Sequence, residues 1–146
     1  MNLPRYKYFT DDFKDYVFFS EGPKGRIKKV VRFTKIENDP DVYNLGFGDE
    51  EQGSGKINHW IVTDNEDRDV VLATVANTIT EFINHYGNHY IYVKGSTPAR
   101  TRLYQIGISS LLDKIKIDFD IYGSKNGVFH KFQKNVNYDA FLVKRK

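Results

Sequence analysis

Residues 66–86, EDRDVVLATVANTITEFINHY, constrain the fold more than any other stretch of the chain. Val71, Val75, Ile79, Phe82 and Tyr86 recur every three or four residues, which stacks them on one face of a helix. Asp64 stands where it can cap that helix. Asp67 follows where the helix dipole favours acids, and Gly87 stands where the helix should stop. The runs on either side are strand-length, rich in Val, Ile, Phe and Tyr, and bounded by Gly, Pro and Asn. A long helix with one apolar stripe, set among such runs, has to bury the stripe against a sheet.

Upstream, Tyr16–Ser20 and Arg26–Ile36 read as the arms of a hairpin, with Gly22, Pro23 and Gly25 in its turn. In the second arm Ile27, Val31 and Phe33 alternate with Arg26, Lys28 and Arg32. Lys29 and Val30 break the alternation, which suggests a bulge or an edge position. DVYNLGFGD and INHWIVT read as a third and a fourth strand, joined by the acidic loop DEEQGSGK. Past the helix, NHYIYVKG reads as a short strand. A second helix starts after Thr97 with Pro98 in its first turn, and its expected apolar side is Leu103, Ile106, Ile108, Leu111, Leu112 and Ile115. IKIDFDIYGSKNGVFHKFQ reads as a second hairpin turning at Lys125-Asn126-Gly127, and VNYDAFLVKRK as a last strand or a docked coil. The order ββββ-α-β-α-ββ specifies an α+β fold. It is a mostly antiparallel, twisted sheet with two helices on one face, in a single domain over residues 1–146.

Composition narrows the class. With 11 Phe and 10 Tyr the chain is too aromatic to be disordered, and with no Cys it has neither disulfides nor thiolate metal sites. The start lacks the pattern of a signal peptide, and no apolar run approaches the ~20 residues of a membrane helix, so a soluble, cytoplasmic protein is expected. The net charge of +3 is spread unevenly. Residues 22–35 hold six basic residues and no acid, residues 36–69 ten acids against two bases, and residues 125–146 six bases against one acid. A basic face formed by Lys24, Arg26, Lys28 and Arg32 could meet a polyanion, or the blocks could neutralise one another on folding.

The candidate site is KGSTPARTRLY, residues 94–104. A strand enters it and a helix leaves it, so Gly95, Ser96 and Thr97 could present amides and hydroxyls to an anion at a helix N-terminus. Arg100 and Arg102 suit phosphate or carboxylate, and Tyr104 shares a helix face with Arg100. Two arginines at that end of a helix are electrostatically unfavourable unless an anion or carboxylate answers them. The alternative is plain helix capping by Thr97.

Other patterns are weaker. His85 and His89 have a metal-pair spacing, but Gly87 and Asn88 interrupt the helix between them, so no metal site is expected. His59 and His130 read as half-buried strand residues. DNEDRD lacks the glycine and distal Glu of a calcium loop. Asp118 and Asp120 would share one face of a strand and could hold a metal. Tyr6-Lys7-Tyr8-Phe9 and Phe129-His130-Lys131-Phe132 interleave rings with bases, as nucleic-acid stacking surfaces do, although core packing explains such rings as well.

The segments FFSEGPKGRIKKVVRF, NTITEFINHYGNHYIYVKGST and ARTRLYQIGI resemble a family of small Bacteroidota proteins of unknown function, with GST-x-ART-x-LY over residues 95–104 as its signature. The resemblance implies a bacterial, cytosolic, stand-alone domain and brings no activity or cofactor with it. Three functions are consistent with the residues. The first is a non-enzymatic binding module for an acidic protein surface or nucleic acid, one version being half of a two-gene regulatory or toxin–antitoxin pair. The second is an enzyme on a phosphorylated or nucleic-acid substrate, with Arg100 and Arg102 clamping phosphate and Asp118 and Asp120 holding a metal. The third is a protein–protein interaction domain that dimerises through an edge strand.

Overall fold

The computed structural model describes residues 3–51, 56–58 and 64–146. The elements are β1 (Tyr8–Phe9), β2 (Asp15–Gly22), β3 (Gly25–Glu37), β4 (Val42–Glu50), β5 (Ile57–Asn58), α1 (Arg68–Tyr86), β6 (Tyr90–Val93), α2 (Pro98–Asp118), β7 (Phe119–Lys125), β8 (Val128–Lys131) and β9 (Ala140–Arg145). The strands form one sheet in the order β1-β2-β3-β4-β6-β9-β7-β8, with β5 paired to β4. Every pair is antiparallel except β4 and β6. That parallel pair requires a crossover, and α1 supplies it. The expected α+β architecture and element order are what forms, with short β1 added at one edge and the tail entering the sheet as β9.

Both helices lie on one face. Leu45 and Phe47 of β4, Val93 of β6 and Ile121 of β7 meet side chains of both helices around one apolar space of about 90 Å³. At the centre Phe82 is fully buried, stacked on Phe33 at 4.4 Å and edge-on to Tyr43. β7 and β6 both run antiparallel to β9, so they run in one direction together with β4. The helices return against that direction. Their N-termini therefore gather at the carboxyl ends of these strands.

Five local readings change. Glu66 adopts φ +60°, outside the helical region, so α1 begins at Arg68 with Asp67 at the cap position, and Asp64 instead accepts from Glu66 N–H at 2.9 Å. Residues 25–32 pair without a break with β2 and residues 29–35 with β4, so Lys29 is paired on both sides and marks neither a bulge nor an edge. The irregularity of β3 lies at Lys35–Glu37. α2 continues through Ile115–Asp118, so the second hairpin is β7–β8 and Asp118 ends a helix. Leu103 is 52% exposed and Ile106 is also exposed, whereas Thr101, Gln105 and Gly107 are buried on the inner side of α2. His130 is exposed on the edge strand β8. Only the first two residues of the predicted strand 57–63 are described, as β5, and the rest, with His59, lies outside the described residues.

Tyrosines anchor the N-terminal segment. Tyr6 OH donates to Asp67 Oδ2 at 2.6 Å, Tyr8 OH to Glu81, and Tyr16 OH to the Phe13 carbonyl at 2.8 Å. Burial, and then the Glu81 carboxylate, push Tyr8 up to about 12 from an ordinary 10.0. Burial raises Tyr6 and Tyr16 as well. A phenol whose proton is held more tightly in the folded state contributes stability that is complete below the unfolded value and lost as pH rises through the folded one. Alkaline titration followed by tyrosinate absorbance should show Tyr6, Tyr8 and Tyr16 ionising late. Stability should fall between pH 10 and about 12, and Tyr8→Phe should flatten that fall. Ionisation of all 10 tyrosines together near the ordinary value in the folded protein would contradict this.

Candidate functional site

The turn before α2 is folded onto the helix it opens. Thr97 Oγ1 accepts from Arg100 N–H at 3.2 Å, Thr101 N–H bonds the Thr97 carbonyl at 3.1 Å, and Gly95 N–H donates to Thr101 Oγ1 at 3.0 Å. A Cβ on Gly95 would lie 2.4 Å from Thr101 N. Glycine is required because the strand end lies directly on the first helical turn. These three amides serve the cap, and the side chains of Arg100, Arg102 and Tyr104 are the other groups that could meet an anion.

Those side chains do not converge. Successive helical residues rotate by about 100°, which turns Arg102 roughly 200° from Arg100. Arg100 and Tyr104 line a cleft of about 140 Å³ with Lys29, Phe47, Asp67 and Leu103. Gly95, Ser96, Thr97 and Arg102 line a separate groove of about 1020 Å³. The two-arginine clamp is thus divided between two compartments by its own helix. Asp118 and Asp120 are further away still. Asp118 ends the helix near whose start Arg100 stands, about 27 Å along the axis. Arg100, Arg102 and Asp118 are therefore not gathered into one site.

The cleft holds charge that the linear pattern hides. Lys29 and Asp49 are directly opposed on β3 and β4 and form a buried ion pair at 2.5 Å. Asp67 is occupied on another side, where its Oδ2 accepts from Ser20 Oγ at 2.5 Å and from Tyr6 OH. Buried Asn65 donates to Ser20 Oγ at 3.1 Å and to the Gly25 carbonyl at 2.8 Å, which ties the hairpin turn to the start of α1. Among the described residues, Arg100 Nη1 is a buried side-chain donor without a hydrogen-bond partner. Tyr104 beside it has a raised pKa because it is buried, and the Arg100 charge opposes that rise.

The groove is polar and open. Arg102 reaches across it to Asn137, and Gln105 holds the far wall by bonding the Val136 carbonyl and accepting from Tyr138 N–H. The partner of Arg102 there is a neutral amide, not a carboxylate.

The proposed basic face is largely answered by acids on neighbouring strands. Lys28 pairs with Glu50 at 2.6 Å, and Arg32 with Asp15 at 2.8 Å. Arg26 lies 3.9 Å from Glu21 and stacks over Phe19 at 4.0 Å. Lys24 sits in the turn, where its N–H donates to Asn65 Oδ1. Antiparallel pairing brings the acid-bearing ends of β2 and β4 beside β3. Among the described residues no three His, Cys, Asp or Glu side chains gather as metal ligands. His85 stacks on Phe13 at 4.3 Å, and His89 turns back to the Tyr86 carbonyl.

A family model matches residues 2–146, nearly the whole chain. The protein belongs to the DUF6934 family, a family of unknown function. No curated protein and no solved structure matches it. In the sequence Lys29 reads as a break in a strand and Asp67 as an acid of a helix first turn, and nothing there assigns Lys29, Asp49, Asn65 or Asp67 to a site. The available signal was parity, since Lys29 shares the inward register of Val31 and Phe33, and Asp49 that of Leu45 and Phe47. No helix of the described residues is long and apolar enough to cross a membrane.

Proposed function

We propose that this DUF6934 protein is a binding module that seats one oxyanion group of its partner, a phosphate or a carboxylate, on Arg100. The observation that carries this reading is the buried Arg100 Nη1, which has no acceptor among the described residues. Buried polar groups are nearly always paired, and an unpaired donor costs about 1–3 kcal/mol, so a ligand oxygen is the natural partner. The size of the cleft supports a group rather than a whole molecule, since about 140 Å³ is below the ~300–1,000 Å³ of sites that engulf a drug-sized ligand. Leu103, Phe47 and Tyr104 would seal the oxyanion from water and strengthen its pairing. Of the other charged groups that line the cleft, Lys29 is held by Asp49 and Asp67 by Ser20 and Tyr6, while Asp64 and Arg68 complete the charged lining.

The test is an NMR titration with inorganic phosphate, succinate and a mononucleotide. Saturable amide shifts at Arg100–Tyr104 are expected for at least one of them. Arg100→Met, which keeps an apolar stem, should abolish the shifts without loss of stability, because it removes an unpaired donor and no hydrogen bond. Absence of shifts in the native protein, or unchanged shifts in the variant, would remove the cleft as a site. The resemblance to small bacterial proteins adds the expectation of a macromolecular partner encoded nearby, whose acidic or phosphorylated group would fill the cleft.

A further inference from the structure

The face of the sheet away from the helices carries a second surface, independent of Arg100. By register, Tyr92, Leu142, Tyr122 and Lys131 form one row across β6, β9, β7 and β8. Beside that row Lys144 is opposite Asp120 and lies over the Tyr90 ring at 4.6 Å. On the other side Ser124 is opposite Phe129, which is 41% exposed.

Two features mark this surface. The first concerns the hydroxyls. Tyr6, Tyr8, Tyr16, Tyr86 and Tyr138 each bond to the protein through the phenol oxygen. Among the described residues, Tyr92 and Tyr122, half-buried on this face, have no such bond, as is also true of Tyr90 beside them and of Tyr43 and Tyr104 on the helix side. The second concerns charge. Over β2–β4 the cations of this face are paired with carboxylates. Over β6–β9 Lys94, Lys131 and Lys144 have no carboxylate within ion-pair distance among the described residues, and Asp120 is the acid set among them. The large groove continues this surface, since Tyr92, Lys94 and Ser124 line it together with Arg102 and with Asp139, whose carboxylate accepts from Asn126 N–H.

We propose that this face binds single-stranded nucleic acid. Bases would stack on Tyr92 and Tyr122, and the backbone would pass Lys131 and Lys144 and enter the groove at Lys94 and Arg102. Rings on an open sheet suit unpaired bases, because every base has a π-face, whereas a duplex hides its faces. The unpaired cations supply the charge complementarity that selects a polyanion over a neutral protein surface.

Fluorescence anisotropy with uridine and thymidine oligonucleotides of about ten nucleotides, within the ~4–16-nucleotide footprint of comparable platforms, tests the proposal. The native protein should bind, with a log–log salt slope of roughly −2 to −3 for three or four phosphate contacts. Tyr92→Ala and Tyr122→Ala should each weaken binding by about 10–100-fold, while the corresponding Phe variants stay within a few-fold. Lys131→Glu with Lys144→Glu should weaken it too, with no ring removed from the sheet. In an Arg100→Met background the losses from Tyr92→Ala and Tyr122→Ala should persist, so a failed cleft and a failed face are told apart. Comparison of the two sugars reports whether the 2′-hydroxyl is read. The proposal is overturned if the native protein shows no salt-dependent binding, if both Ala variants bind like the native protein, or if duplex of the same length binds equally tightly.

Discussion

Lys29→Met should be among the most damaging single substitutions in this protein, at about 3–5 kcal/mol, because it leaves Asp49 buried without its cation. At roughly 3 °C per kcal/mol for a chain of this length, that is a fall of about 10–15 °C in Tm. Asp49→Leu should cost a similar amount by leaving the ammonium of Lys29, which is 1% exposed, with its main counter-charge gone. The double variant, Lys29→Met with Asp49→Leu, should recover much of the loss, since an apolar pair of similar volume often matches a buried ion pair in stability. Urea unfolding of the four proteins gives the coupling energy. Additive losses would show that the two charges act separately, through other neighbours. A strong coupling would establish the pair as the rigid floor of the cleft under Arg100.

That pair also marks where the sequence stops being legible. The alternation of Ile27, Val31 and Phe33 is visible in the chain, and so is the interruption at Lys29. A charged residue in the inward register reads as an interruption until its partner is known, and Asp49 belongs to the next strand. Helix α1 was legible because its stripe is set by spacing alone, and Phe82 and Ile79 lie in the core as that spacing requires. Helix α2 was only half legible. Its inner side combines the expected Ile108, Leu111, Leu112 and Ile115 with Thr101, Gln105 and Gly107, which no hydropathy pattern selects. Gln105 is buried because it bonds the backbone at Val136 and Tyr138, and Gly107 because Leu72 packs where its Cβ would be. Leu103 and Ile106 are displaced outward as a result.

The tyrosine row illustrates the same limit. Each tyrosine falls on the outward parity of its strand, but β6 and β7 are joined through α2 and separated by β9, which comes from the end of the chain. A row that spans such a crossover is a property of the sheet order, which local pattern does not encode. The two arginines of residues 94–104 are the converse case. Their adjacency in sequence suggested one site, and helical rotation assigns them to two.

Gly95→Ala should cost up to about 3 kcal/mol, the upper part of the usual range for overpacking, and the reason lies in what its Cβ would meet. The nearest atoms are Thr101 N at 2.4 Å and Arg100 C at 2.7 Å, both backbone, so no side chain can swing aside. Relief requires α2 to move away from the end of β6. That breaks the Gly95 N–H to Thr101 Oγ1 bond and loosens the cap made by Thr97. The expected signature is a lower Tm, together with amide shifts at residues 95–101 in the absence of any ligand. Weaker binding at the cleft and at the groove should follow, since the same turn of helix presents Arg100 to one and Arg102 to the other. A Gly95→Ala protein of native stability that lost only ligand affinity would contradict this and assign the glycine to close approach of a ligand. A protein destabilised as expected, set beside an Arg100→Met protein that stays stable and binds nothing, would separate the two roles. The glycine would then hold the helix in place, and the arginine would do the binding.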